Sequence, residues 1–290
     1  MKGLGRQIAR HALALVATVL LGGLLSAGLM RLAPGFDADE QELDPHLSAA
    51  SIQALKQARQ DQHNIFRYYF HSLQKAAHGD LGTSLSLGQP VSTLLKERAP
   101  LTLRLVGFGL LLSWTVALAF ALSGAWLRAS AYDMLTTFLS GTILCLPAAV
   151  LALLAVLWHV PEALAIALIV FPRIYRYSRN LLDKAYSQSH ILTARAKGVG
   201  ELRILFWHAI PVAAPQLLAV AGVSVSIAVG AAIPVEAICG QAGIGQLAWQ
   251  AALARDLPLL TNLTIMVTAV TLLANSGADV IGHMLRGQEA

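Results

Sequence analysis

Charge is what this 290-residue chain has least of: Asp, Glu, Lys and Arg make up only 13% of it, about half the share of an ordinary soluble domain. With 56% hydrophobic residues and a mean hydropathy of +0.61, it fits neither a disordered chain nor a nucleic-acid binder, and a soluble two-domain enzyme is disfavoured. Only two cysteines are present, Cys145 and Cys239, too few for a disulfide framework or a zinc site. No Gly-Lys dipeptide occurs anywhere, so the chain lacks the phosphate-binding loop Gly-x-x-x-x-Gly-Lys-Ser/Thr and does not hydrolyse ATP by that device.

What the chain has in abundance is charge-free sequence. Uninterrupted runs cover Ala12 to Met30, Leu105 to Leu127, Met134 to Trp158, Ala209 to Val235 and Leu257 to Ala278. Each approaches or exceeds the ~20 residues that a helix needs to cross a bilayer core. A sixth run, Ala163 to Pro172, is short, but lengthens if the helix continues through Arg173, Arg176 and Arg179 with their heads snorkelling toward headgroups. Pro161 suits the start of that helix. Ala12 to Met30 is longer than a signal-peptide core and has no good small-x-small site before Arg31, so a retained helix is expected. With six spans and the N-terminus inside, twelve basic residues face the cytoplasm against one, Arg255, in the short outer loops; this satisfies the positive-inside rule. The expectation is an all-α polytopic membrane protein with both termini inside and spans near 104–127, 134–158, 162–180, 209–235 and 257–281, preceded by a segment 1–34 that holds the first helix.

Two polar segments interrupt this pattern. Residues 35–100 begin with an acidic run (Asp37, Asp39, Glu40, Glu42, Asp44), best read as a solvated loop. Ile52 and Leu55, then Ile65, Phe66, Tyr69, Phe70 and Leu73, recur at helical spacing, which predicts amphipathic helices on the outer surface. His63, His71 and His78 can share a face, but without an acid or cysteine partner a docking face is the better reading than a metal site. The other segment, about 183–208, is basic and helix-prone, with Gly198 and Gly200 expected to break it into two short helices. It is longer than a plain connection between neighbouring spans requires.

Thr193-Ala194-Arg195-Ala196-Lys197-Gly198, followed by Glu201 and by His208-Ala209-Ile210-Pro211, resembles the cytoplasmic EAA loop of ABC importer permeases, in particular the dipeptide, oligopeptide and nickel subfamily. Further matches follow in order: Arg31-Leu32-x-Pro34-Gly35, Gly79-Asp80-Leu81-Gly82-x-Ser84 with Pro90-Val91, Val235-Glu236, Gly243-Ile244-Gly245, Arg255-Asp256-x-Pro258, then Asn275 and Asp279. The ordered set covers nearly the whole chain.

The resemblance implies a transport subunit of the bacterial inner membrane with 101–290 as its core. It would pair as a heterodimer with a second permease and assemble with two cytosolic ATPase subunits and an extracytoplasmic solute-binding protein, in contact with membrane lipid and with no nucleic acid. No cofactor or metal would be bound by this chain; ATP and Mg would be used by the ATPases. Residues 194–198 would sit in a groove of the ATPase, with Ala194 and Ala196 allowing close packing and Arg195, Lys197 and Glu201 at the rim. Glu236, Gly243, Gly245, Trp249, Leu253, Arg255 and Asp256 resemble an outer segment at the pathway mouth. Small residues (Gly22, Gly23, Ser26, Ala27, Gly28; Ser224, Ala228, Gly230, Ala231) would let helices approach and slide. Di- or oligopeptide is the expected cargo, with nickel or another small solute as the alternative. An ion-coupled secondary transporter is disfavoured because only Asp279 offers an ionisable group in the charge-free spans. An intramembrane hydrolase lacks a histidine at the depth of Ser140 or Ser276.

Overall fold

The computed structural model describes residues 65–127 and 130–286, together with Leu13, residues 17–18, 20–25 and Gly28 of the first apolar run. The acidic run 37–44, Ile52, Leu55 and His63, and most of Ala12 to Met30, including Ser26 and Ala27, lie outside the described residues. From Ile65 onward, ten α-helices follow among the described residues: α1 Ile65–Ala77, α2 Val91–Leu127, α3 Ser130–Cys145, α4 Ala148–Leu157, α5 Glu162–Tyr186, α6 Ser189–Ala196, α7 Glu201–Ile204, α8 Ile210–Cys239, α9 Ile244–Leu253 and α10 Leu257–Arg286. A π turn, Leu205–Ala209, joins α7 to α8. Among the described residues the only β pairing is one bridge, Thr83 to Pro90.

Among the described residues, three helical stretches are long and apolar enough to cross a bilayer: Val91–Leu127, Glu201–Cys239 and Leu257–Gly282. Large apolar side chains on them stay uncovered, among them Phe108, Leu111 and Leu273, as expected of surfaces that lipid or another subunit covers. The run 134–158, expected as one span, consists of two helices, α3 and α4, that together are long and apolar enough for one but are bent by 94°. Pro147 is the cause: it stands before α4 at φ −60°, ψ 145°, offers no N–H to the preceding turn, and pushes Leu146 out of the helical region. α5 continues through Arg173, Arg176 and Arg179 to Tyr186 as 25 residues. The expected span 209–235 lies inside a longer helix beginning at Glu201, so the non-helical part of the 183–208 segment shrinks to residues 187–188 and 197–200.

The chain divides into two compact units, residues 1–99 with 247–269 and residues 100–246 with 270–290. In the second, α8 packs most extensively on α5, and α4 packs on both. The contact is built largely from small residues, Ala152, Ala155, Ala165, Ala185, Ala213, Ala228 and Ala232, around Ile166, Val170, Ile174 and Leu182. Small side chains bring helix backbones close, which gains dispersion contacts where the hydrophobic effect between helices is weak. At Gly109 an added Cβ would lie 2.7 Å from Ile166 Cγ2, and at Gly222 it would lie 2.8 Å from Ala278 Cβ and 3.1 Å from the Ala274 carbonyl. Ser224, Ala228 and Ala231 are buried as their expected packing role requires, whereas a methyl added at Gly230 would meet nothing within 4 Å.

In the first unit, Tyr69 of α1 is buried and Phe70 exposed, so the apolar stripe expected over 65–73 is only partly covered. A methyl at Gly23 would collide with the Tyr69 ring, while Gly22 approaches Thr268 and Gly28 approaches nothing within 4 Å. His71 and His78 are exposed; His78 Nδ1 lies 2.8 Å from the Gln74 carbonyl.

The close approach at Gly222 generates a prediction. Gly222→Val should lower the melting temperature of the detergent-solubilised protein by an amount matching an overpacking cost of about 1–3 kcal/mol. Gly230→Ala should leave it within about 0.5 kcal/mol of the parent. Equal effects at the two positions would contradict the packing described.

Candidate functional site

α6 is terminated by a left-handed glycine. Gly198 has φ +72°; its N–H donates to the Arg195 carbonyl at 2.9 Å and the Val199 N–H to the Ala194 carbonyl at 3.1 Å. That pair of bonds is the Schellman arrangement, which a residue with a Cβ enters at a cost. Gly200 then precedes α7 in an extended conformation, with Glu201 in the first turn, where a carboxylate favours the positive end of the helix dipole. The two short helices expected around Gly198 and Gly200 are therefore present, but the second is the beginning of the α8 rod rather than part of a loop.

Arg195 holds this hairpin together. Its Nε donates to Glu201 Oε1 at 2.9 Å, and its guanidinium stacks over the Tyr186 ring at 5.7 Å from the centroid, so one side chain ties the ends of α5, α6 and α7. Burial, then the neighbouring Glu201 carboxylate, pushes the Tyr186 hydroxyl above its ordinary range. Ile191 and Ala194 face the chain's own core. Ala194, expected at a partner surface, is thus already covered within the chain, and Arg195 and Glu201 already hold one another. Open positions on the hairpin include Leu192, Thr193, Ala196, Lys197 and Gly198, with Leu202, Phe206 and Trp207 among those on the following rod.

His208 sits in the π turn, half-buried, its ring 6.3 Å from that of His190. Pro211 is exposed in the first turn of α8. Having no N–H, Pro211 cannot bond back into the preceding turn, and its ring crowds a carbonyl there. The ladder widens accordingly, and the Ile210 N–H reaches the Leu205 carbonyl five residues back.

At its N-terminal end, α5 carries Glu162, whose Oε1 accepts from Gln241 Nε2 at 2.8 Å. Toward the other end, Arg179 makes a two-pronged contact to Asp133, Nε to Oδ1 at 3.1 Å and Nη2 to Oδ2 at 2.8 Å, and also pairs with Asp183. Burial raises the Asp183 carboxyl above its ordinary range, and Arg179 opposes that shift. Tyr175 donates to Thr136 Oγ1 at 2.5 Å, a second polar tie between α5 and α3. Of the three arginines expected to snorkel together, Arg179 is thus held inside while Arg173 and Arg176 are exposed.

Glu236 is fully buried. Its Oε1 accepts from Thr102 Oγ1 at 2.6 Å, and its Oε2 accepts from the backbone N–H of Gly245 at 2.6 Å and of Gln246 at 3.2 Å. Thr102 Oγ1 in turn accepts from the Ile244 N–H at 2.8 Å. A buried carboxylate therefore caps the N-terminus of α9, where the dipole and the unpaired N–H groups favour an anion. Gly243 and Gly245 leave room for this: a Cβ on Gly243 would collide with the carboxylate, and one on Gly245 would come 2.7 Å from Ile233 Cα. Glu236, Gly243 and Gly245, expected together in one outer segment, meet in one buried hydrogen-bonded site.

Asp256, in the first unit, is a second buried carboxylate. Its Oδ2 accepts from Ser84 Oγ at 2.5 Å, Ser86 Oγ at 2.8 Å and Ser86 N–H at 3.0 Å, and its Oδ1 accepts from Leu259 N–H at 3.1 Å. Asp256 is the N-cap of α10. Asn262 Nδ2 donates to the Leu81 carbonyl at 2.9 Å, which fastens the turn 79–90 beside it. Arg255 adopts φ +53° to aim its neighbour inward. Sequence reasoning singles out Asp256 but not Ser86 or Asn262 as its companions. Trp249 and Leu253 of α9 are exposed, at 52% and 68%.

A family model described as "Binding-protein-dependent transport system inner membrane component" matches residues 109–286. The oligopeptide transport system permease protein AppB of Bacillus subtilis is 28% identical, over 91% of this chain and 92% of its own length. OppB, likewise an oligopeptide transport system permease protein, is 30% identical in Salmonella typhimurium and 29% identical in Escherichia coli, each over 94% of this chain and 95% of its own length.

Removing the Glu236 carboxylate leaves Thr102 Oγ1 and two N–H donors without their acceptor. Glu236→Ala should destabilise the solubilised protein by roughly 3 kcal/mol, the cost of orphaning buried donors, and Glu236→Gln by less. Thermal unfolding in detergent reads the difference; an alanine variant as stable as the parent would show that the network carries no stability.

Proposed function

Because the chain belongs to the family of binding-protein-dependent transport system inner membrane components, we propose that it is the membrane-spanning permease subunit of an ATP-driven peptide importer, taking di- or oligopeptides from an extracytoplasmic binding protein. The named activity of its relatives, oligopeptide transport, supports that cargo. In this reading it is a multi-pass protein of the bacterial inner membrane with six spans and both termini inside, works beside a second permease, and is not itself an enzyme. ATP and Mg are used by two cytosolic ATPase subunits.

The observation that carries the mechanism is the continuity of residues 201–239. They form one helical stretch of 39 residues, about 58 Å long at 1.5 Å per residue. A push on the exposed face of α6 passes through the Arg195–Glu201 pair into α7, and α7 is the lower end of a span. Closure of the ATPase dimer against Thr193, Ala196, Lys197 and Gly198 would therefore tilt α8, and α5 with it, since α5 and α8 share the core. A rigid-body switch between inward- and outward-open states follows from moving packed helices as a unit. The widened ladder at Leu205–Ala209 is where the rod can bend without losing its bonds altogether. On the outer side, exposed Trp249 and Leu253 offer apolar contact to the loaded binding protein.

Reconstitution with the partner permease, ATPases and binding protein tests this. Ala196→Glu combined with Lys197→Glu leaves the buried face of α6 intact and should reduce peptide-stimulated ATP hydrolysis about ten-fold or more, on the scale of losing a central contact, with normal membrane insertion. Trp249→Ala with Leu253→Ala should slow peptide release from the binding protein while leaving basal ATP hydrolysis unchanged. Wild-type stimulation in the first variant would show that α6 is not the contact with the ATPase.

A further inference from the structure

Arg173 is exposed and, among the described residues, has no hydrogen-bond or ion-pair partner. It lines a cleft of about 230 Å3 between α5 and α8, with Tyr177, Val220, Val223, Ser224 and Ile227. Its depth along α5 makes the exposure unusual. Arg173 lies eleven residues beyond Glu162, about 17 Å, and six residues before Arg179, about 9 Å. On the facing helix, Ser224 lies twelve residues before Glu236, about 18 Å. Glu162 and Gln241 mark one end of this helix pair through their hydrogen bond, and the Arg179–Asp133 pair marks the other. The cleft therefore lies between these two ties, inside the stretch 162–180 expected as a span.

Snorkelling does not relieve that position well. Helical side chains lean toward their own N-terminus, which directs Arg173 away from the nearer, Arg179 end of α5. A lone guanidinium within a membrane span is costly against lipid and is kept where it faces water, a counter-charge or a substrate path. The other walls of the cleft are aliphatic, apart from the Tyr177 ring, which is 58% exposed, and Ser224, whose hydroxyl already accepts from Trp114 Nε1 at 3.0 Å.

We propose that the α5–α8 cleft faces the translocation path and that Arg173 is its fixed cation, binding the terminal carboxylate of a peptide in transit. The inference rests on the peptide-importer reading and adds the site within it. An importer that accepts many peptide sequences can use only what peptides share, and a free carboxylate is the shared charge. A guanidinium matches it with two parallel N–H donors, while Val220, Val223 and Ile227 present an apolar wall that tolerates different side chains. Arg176, one turn closer to the Arg179 end, is outside the lining of the cleft.

The test is charge replacement in the assembled complex, in a background with Cys145→Ser and Cys239→Ala. Arg173→Cys should lower peptide uptake into proteoliposomes about ten-fold or more, the scale of one charge-assisted contact. Reaction with a cationic ethylammonium thiosulfonate should restore uptake, the anionic ethylsulfonate reagent should not, and saturating transported peptide should slow both reactions. Arg173→Lys should retain most of the uptake. Because rescue is read in the same sample, misfolding cannot imitate it. The proposal is overturned if Arg173→Cys transports like its parent, if neither water-soluble reagent reaches the thiol, or if the two reagents act alike. Failure of the parent complex to take up any peptide would instead overturn the peptide-importer reading itself.

Discussion

The Glu236 carboxylate is the contact on which the second compact unit most depends. It is the one fully buried charge described in that unit, and its oxygens are filled by the Thr102 hydroxyl of α2 and by N–H groups that open α9. Without it, the chain leaving α8 would have to bury a helix N-terminus with unpaired donors, which is costly away from water. With it, the chain turns sharply at Gly240, φ +70°, and re-enters along α8 at a distance that only Gly243 and Gly245 permit. Asp256 does the same work for the first unit, capping α10 and gathering Ser84 and Ser86.

Between the polar ties at the two ends of α5, Glu162 with Gln241 and Arg179 with Asp133, the helices are held largely by small-residue contacts around Ile166, Val170 and Ile174, with one further tie from Tyr175 to Thr136. This distribution suits a moving part. Small-residue contacts are shallow and can slide, whereas hydrogen-bonded ends keep each helix in register as it tilts. The α6 hairpin adds a stiff handle, because Arg195 bridges to Glu201 and to Tyr186 and Gly198 closes the turn. An external force applied there has little slack to take up before α8 moves.

Much of this is legible in residue order. The run of Thr193 to Gly198 marks a short helix ended by a left-handed glycine, and the charge-free runs locate α2, α8 and α10. Other features mislead for physical reasons. Met134 to Trp158 has the length and composition of one span, but Pro147 breaks it, a local signal outweighed by the length of the apolar run. Ala194 looks like a contact for a partner, yet helical phase places it with Ile191 against the chain's own core. Arg173, Arg176 and Arg179 share a spacing that suggests one common role; only Arg179 has Asp133 within reach.

Local chemistry is thus readable from order alone: helix length, the glycine stop at Gly198, the proline break at Pro147 and the excess of basic residues around α6 all depend on near neighbours along the chain. Folding decided which distant groups would meet. Thr102 reaches Glu236 across 134 positions and Ser84 reaches Asp256 across 172, and no spacing rule encodes such pairs. The same holds for Arg173, ordinary in sequence, which folding sets in a cleft against α8 whose lining, among the described residues, holds no carboxylate.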